Sequence, residues 1–359
     1  MVTAGIDRGA VPLAEVVRGD LVESVHLGHL VVLDPQGEVV LAAGEPTAQI
    51  WPRSSLKPLQ AVAMVRAGLD LPPELLALAA ASHSGEPVHR DGVQAILAGA
   101  GLSADALRNT PGLPMYPPAA ADWLRAGRDA EQITQNCSGK HAAMLATCVA
   151  TGWDTGDYLA VDHPLQRAVR ATVTELTGTE PEHVTTDGCG APLFATTLRG
   201  LARSFGTLAG AAGRHGPAGA AGQEGAADGP LEPTARVAQA MSMHPEMVAG
   251  TGREDTLAMR AVPGVVAKIG ADGVCAAGLP DGSSLAFKVL DGADRPRPAL
   301  LAAALRLAGA LDVRGADPAA LVAVGHVAVL GGGRPVGEVR TVLDGPPGAR
   351  SAVGPGVRS

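Results

Sequence analysis

Two apolar runs, each broken by a tight turn and lying near opposite ends of the chain, constrain this sequence most. "GHLVVLDPQGEVVLAAGEP" (residues 28–46) sets β-branched residues on both sides of Pro35-Gln36-Gly37, and "GVCAAGLPDGSSLAFKVLDG" (273–292) repeats the arrangement around Pro280-Asp281-Gly282-Ser283. Both read as hairpins, hence as antiparallel sheet. Between them the period turns helical. "DHPLQRAVRATVTELTG" (162–178) offers Asp162 as N-cap, Pro164 in the first turn, apolar residues at 165, 169, 173 and 176, and Gly178 as the stop. "KHAAMLATCVATG" and "APLFATTLRGLARSF" are expected to be helices too. Hairpins flanking a helix-rich middle predict a mixed α/β (α+β) fold.

The 359 residues suffice for a substantial core, and with three Trp, two Tyr and three Phe that core must rest on Ala, Leu and Val. Residues 206–233 and the tail 346–359 are rich in Gly, Ala and Pro; the first is expected to be a flexible insertion and the second a loose end. No basic segment followed by an apolar stretch opens the sequence, and no apolar run is long enough to span a bilayer, so the expectation is a cytoplasmic protein with no membrane partner. Four cysteines in a sequence of this length do not suggest a disulfide framework. A formal charge of -8 and few aromatics disfavour nucleic acid, leaving small molecules as partners.

Of 28 basic residues only four are lysines: Lys57, Lys140, Lys268 and Lys288. A lysine retained where arginine is the rule invites a chemical reason, because only lysine can lose its proton in a protein. In "PRSSLKPLQ" (52–60), Lys57 follows Ser54 by three positions and precedes Pro58. Proline is tolerated in a first helical turn, so Ser54 is expected at a helix start with Lys57 on the same face. A neutral lysine there would accept the serine's proton, and NH groups at the helix start would favour an oxyanion. The plainer reading, a serine N-cap beside a solvated charge, fits the same residues. Penicillin-recognising enzymes share Ser-x-x-Lys but add Ser-Asp-Asn or Tyr-x-Asn and Lys-Thr-Gly, which this sequence lacks. Lys288 is the expected strand-borne lysine, and Val289 and Leu290 follow it where small residues would be needed.

"AASHSGEP" (80–87) gathers Ser82, His83, Ser84 and Glu86, as a nucleophile loop or an ordinary capped turn would. "QNCSGKHA" (135–142) sets Cys137 three residues before Lys140, and "TTDGCGAP" (185–192) places Cys189 between glycines beside Asp187. Glycine-flanked cysteines suit thiolate ligands, although no Cys-x-x-Cys or His-Glu-x-x-His is present. His26 and His29 belong to the first hairpin, and Cys148 and Cys275 read as core.

In order, "VESVHLGHLVVLD", "WPRSSLKPLQAV", "LALAAASHSGEPVH", "NCSGKHAAMLATC", "DHPLQ", "TDGCGAPLFATTLRGLARSF", "HPEMVAGTGREDT" and "AKIGADGVCAAGL" with "LAFKVLDG" resemble the asparaginase II family, the rhizobial-type or thermolabile L-asparaginases. The resemblance runs over 14–345 as one catalytic unit, either undivided or built of two subdomains. It implies a fold similar to glutaminases and serine β-lactamases, hydrolysis of L-asparagine to L-aspartate and ammonia, and a homodimer. The family's two serine-lysine tandems fall on Ser54 with Lys57 and on Ser82 with Lys268, and its reported zinc ligands on Cys137, Lys140 and Cys189. The implied chemistry is a serine acyl-enzyme with lysine as base. No cofactor is expected for that chemistry, and zinc is expected to act on substrate binding. Arg53 and Asp187 are the candidates for the substrate's α-carboxylate and α-ammonium. Two rival readings remain: a β-lactamase or D,D-peptidase, and a non-catalytic amino-acid-binding protein.

Overall fold

The computed structural model describes residues 5–214 and 231–343. The main sheet is antiparallel and eight-stranded. It is built from β1 (Val11–Arg18), β2 (Leu21–Leu33) and β3 (Val39–Ala43) at the N-terminal end. Two small pairs come from the middle: β4 (Gln49–Ile50), β5 (Val184–Thr186), β6 (Pro192–Phe194) and β7 (Thr196–Thr197), with β4 on β7 and β5 on β6. The main sheet then resumes with β8 (Val266–Gly270), β9 (Val274–Gly278), β10 (Ser284–Val289), β11 (Val327–Gly331) and β12 (Arg334–Thr341), in the order β11-β12-β1-β2-β10-β9-β8 with β3 on β2.

Both expected hairpins are present, β2–β3 and β9–β10, and β2 joins them by pairing with β10 from Ser284↔Leu33 to Val289↔Gly28. Segments from the two ends of the sequence thus close one sheet around the helical middle. β8 and β9 are buried at every position, so both faces must be covered. The helix Leu198–Arg214 packs on both, Arg297–Leu307 packs on β9, and Glu254–Ala261 packs on β8. At Gly278 a Cβ would stand 2.0 Å from the Phe205 carbonyl oxygen, which shows how closely the first of these helices approaches the sheet. The core is aliphatic, as expected, with Phe194, Phe205 and Phe287 fully buried among Ala, Leu and Val.

Several local expectations need correction. The helix Pro164–Thr177 ends at Gly178 in a left-handed cap, but its N-cap is His163, whose ring accepts from the Leu165 NH, instead of Asp162. "APLFATTLRGLARSF" is not one helix. Pro192–Phe194 and Thr196–Thr197 are strands, because long-range pairing with β5 and β4 overrides local propensity, and the helix starts at Leu198. The insertion expected from Gly206 is helical in its first residues. Residues 206–214 extend that helix, burying Leu208, Ala209 and Ala211 against the core, while 215–230 and the tail 346–359 lie outside the described residues. Among the described residues no helix is long and apolar enough to cross a membrane.

Candidate active site

Pro58 sits in the first turn of the helix Lys57–Arg66, as its missing NH predicts, and a single 3-10 turn, Arg53–Leu56, precedes it. Ser54 therefore lies just outside the helix, partly exposed, with Lys57 as the first helical residue, 1% exposed. Arg53 has φ +52°. Among the described residues the non-glycines with positive φ are Arg53 and Asp272 (φ +57°), and their side chains form an ion pair with each other. Left-handed non-glycine backbone costs about 1–3 kcal/mol per residue, and such strain gathers at functional sites.

The structure rearranges the expected tandems. Lys57 Nζ donates to the Ala81 carbonyl at 2.6 Å and lies 2.9 Å from Ser82 Oγ and 3.0 Å from Cys137 Sγ. Ser54 Oγ takes part in no hydrogen bond among the described residues. Lys268 does not bond Ser82. It donates to the Ile269 carbonyl at 3.0 Å and pairs with Asp255 at 3.4 Å, both side chains fully sealed from solvent. Lys268 is also strand-borne, in β8, so Lys288 is not alone in that respect. Burial drives the Lys268 pKa down, Asp255 opposes, and the nearby Lys57 and Arg253 add to the fall, giving a value of about 8.

Ser82 is fixed by its loop, residues 80–86, which runs between the helices Pro73–Ala79 and Pro87–Gly99. Its NH donates to the Val248 carbonyl, and the next NH, of His83, to the Asn136 carbonyl. The capped-turn reading also holds: Glu86 caps the following helix and accepts from Ser84 Oγ, from the Thr251 NH and from the Thr251 hydroxyl. His83, between Ser138 Oγ and the Gly85 NH, is held well below the ordinary imidazole range by burial, with His89 and Lys57 adding to it.

Arg53 and Asp187 meet as an ion pair at 2.7 Å, so the two candidates for substrate groups share one place. Cys137 and Cys189 also come together, buried with Ala191. Lys140 Nζ lies 3.3 Å from Cys189 Sγ. A hydrogen bond from Cys137 holds the Cys189 thiol far below its usual range against burial, and Lys140 and His141 assist. Burial works against the Lys140 charge, yet Cys189 and Cys137 raise it above the ordinary lysine value. Among the described residues no group of three His, Cys, Asp or Glu is set to hold a metal. The expected set differs in kind: two sulfurs and an amine, gathered in one buried spot, suit zinc if its binding displaces their protons. Cys148 and Cys275 are core, and His26 and His29 are engaged by Asp291 and by the Ile6 carbonyl, as the hairpin reading requires.

Sequence reading missed Asp255, the buried partner of Lys268, whose Oδ1 has no hydrogen-bond partner among the described residues. In "REDT" it looks like an ordinary acidic first-turn residue, and only its burial distinguishes it.

A search of curated proteins returned no match. Among solved structures the chain is similar to Mglu (15% identity, TM-score 0.43, covering 86% of this protein and 74% of that one). It is also similar to a putative β-lactamase from Bacteroides dorei (16%, TM-score 0.43, 86% and 96%) and to a Bacillus glutaminase in 4.3 M NaCl (13%, TM-score 0.38, 74% and 84%). The chain spans 61% to 65% of the length of other Mglu structures. The family profile for L-asparaginase II matches residues 14–341, nearly all of the described residues, and takes in every candidate residue above. This chain belongs to the L-asparaginase II family.

Proposed function

We propose that the protein hydrolyses L-asparagine to L-aspartate and ammonia through a serine acyl-enzyme. The observation that carries this reading is the Ser54-Lys57-Ser82 group: a buried lysine three residues after a partly exposed, unbonded serine and 2.9 Å from a second hydroxyl. Ser54 attacks the amide carbonyl of the substrate because its hydroxyl is free and reachable, whereas Ser82 is 4% exposed. Lys57 takes the proton, Ser82 passes it to the leaving ammonia, and water then hydrolyses the aspartyl ester, releasing L-aspartate and returning the proton to Ser54. The Lys268 ammonium completes the proton relay, and its charge and that of Lys57 oppose each other. NH groups at the start of the helix Lys57–Arg66 receive the oxyanion. Arg53 binds the α-carboxylate and Asp187 the α-ammonium. Cys137, Lys140 and Cys189 would hold zinc. A bound ion there would supply positive charge near Asp187 and so tune substrate binding.

The protein is further proposed to act as a cytoplasmic homodimer, for which light scattering gives the mass. The decisive assay couples ammonia release to a dehydrogenase, with asparagine or glutamine as substrate and with or without chelator. Release from asparagine supports the reading, and saturable binding without ammonia contradicts it. The strand position of Lys268 favours one rival, a penicillin-recognising enzyme, and rapid labelling by a fluorescent penicillin would support that reading instead.

A further inference from the structure

A cavity of about 610 Å³ opens beside Arg53. Arg53 belongs both to its lining and to the proposed site, and other lining residues lead along the chain to that site. Gln49, Ile50 and Trp51 lead through Arg53 to Ser54; Thr185 and Thr186 lead to Asp187; and β8, which carries Lys268, turns at its end into Asp272. The lining is mostly apolar, through Ile50, Trp51, Leu193 and Ala195, and the lysine among its described residues is Lys288. Lys288 is the one lysine of four to which the proposed mechanism gives no task. It donates one hydrogen bond, to the Asp272 carbonyl at 2.5 Å, which leaves two ammonium hydrogens for a ligand. Arg53, paired with Asp187 and Asp272 and assigned to the α-carboxylate of free asparagine, would meet the peptide carbonyl in its place, so the terminal carboxylate falls to Lys288. Pockets of this size hold ligands of drug-like bulk, roughly 300–1,000 Å³, and free asparagine is far smaller.

We infer that the enzyme deamidates asparagine at the N-terminus of short peptides, with an apolar second residue in this cavity and the peptide's terminal carboxylate on Lys288. The inference rests on the asparaginase reading and extends its substrate class. With the α-amine at Asp187 and the asparagine amide at Ser54, one further residue advances the peptide by about 3.3–3.6 Å past Arg53, toward Trp51 and Lys288. The chemistry is unaltered. Water adds across the C–N bond of the asparagine amide, ammonia leaves, the asparaginyl residue becomes aspartyl, and the peptide bond stays intact. The two strained residues, Arg53 and Asp272, stand where the two compartments meet, which gives their locked backbone a purpose.

The test measures ammonia from L-asparaginyl-L-leucine and from L-asparagine with the full-length protein. The expected result is a kcat/KM for the dipeptide at least equal to that for asparagine. Lys288→Met should lower the dipeptide-to-asparagine ratio about tenfold, mainly through KM. Blocking the carboxylate as the N-methylamide should impose a similar loss on the wild-type enzyme, an arm that does not depend on a variant folding. Turnover of asparagine with none of the dipeptide, or equal turnover of free acid and N-methylamide, overturns the inference. Ammonia from neither substrate overturns the asparaginase reading itself.

Discussion

Replacing Asp255 by Asn should move the alkaline limb of activity to lower pH. Lys268 Nζ and Asp255 Oδ2 lie 3.4 Å apart with both side chains sealed from solvent. At that distance an effective dielectric of about 20 gives roughly 5 kcal/mol of attraction. Arg253 and Arg297 already share the Asp255 charge. We therefore expect about a third of the full figure, ~1.5 kcal/mol, or about one pH unit. Burial is the main cause that brings Lys268 to about 8, and Asp255 is the group that resists it. Without the carboxylate the ammonium is less favoured, so the proton leaves at lower pH. The proposed relay uses charged Lys268, and activity should fall as that charge is lost. The kcat/KM of the wild-type enzyme should therefore decline through about pH 8, and that of Asp255→Asn through about pH 7, with the acidic side little changed. Initial rates of ammonia release across a buffer series read this directly. Breaking a buried pair costs roughly 3–5 kcal/mol, so unfolding is followed in parallel and Asp255→Glu serves as the charge-restoring control. An alkaline limb that stays in place in a folded Asp255→Asn enzyme would refute the reasoning.

Lys57→Arg keeps the charge but cannot lose a proton, so turnover should fall by about 10²–10⁴-fold; surviving activity would exclude Lys57 as the proton acceptor. Gly250→Ala would put a Cβ 1.9 Å from Ser84 Oγ at a backbone φ of +111°. It should cost about 2 kcal/mol or more and lower Tm by at least roughly 2–3 °C in a scanning calorimeter; an unchanged Tm would contradict the described packing of the Ser82 loop. Cys189→Ser should abolish zinc retention on a desalting column as read by atomic emission, and stoichiometric zinc in that variant would remove Cys189 from the ligand set.

Much of the scaffold was legible because its signals are local. Pro58 marked the helix start, Gly178 a helix stop, and the turns at residues 35–37 and 280–283 the two hairpins. The errors arise where distant segments decide. Thr196 and Thr197 are strand only because β4 arrives beside them, and residues 206–214 are helix because the sheet offers them a surface. The site follows the same pattern. The scarcity of lysine pointed to Lys57 and Lys268, yet their partners, Ser82 and Asp255, are set by burial and by a loop anchored to Val248 and Asn136. The left-handed backbone of Arg53 leaves no trace in composition or period.

The central claim is that Ser54 carries the acyl group. The most direct measurement mixes the enzyme with L-asparagine, quenches in acid within milliseconds, and maps the covalent adduct by peptide mass spectrometry. An aspartyl ester on the peptide at Ser54, absent in Ser54→Ala, is the predicted result. An adduct on Ser82, or rapid ammonia release by Ser54→Ala, would contradict it.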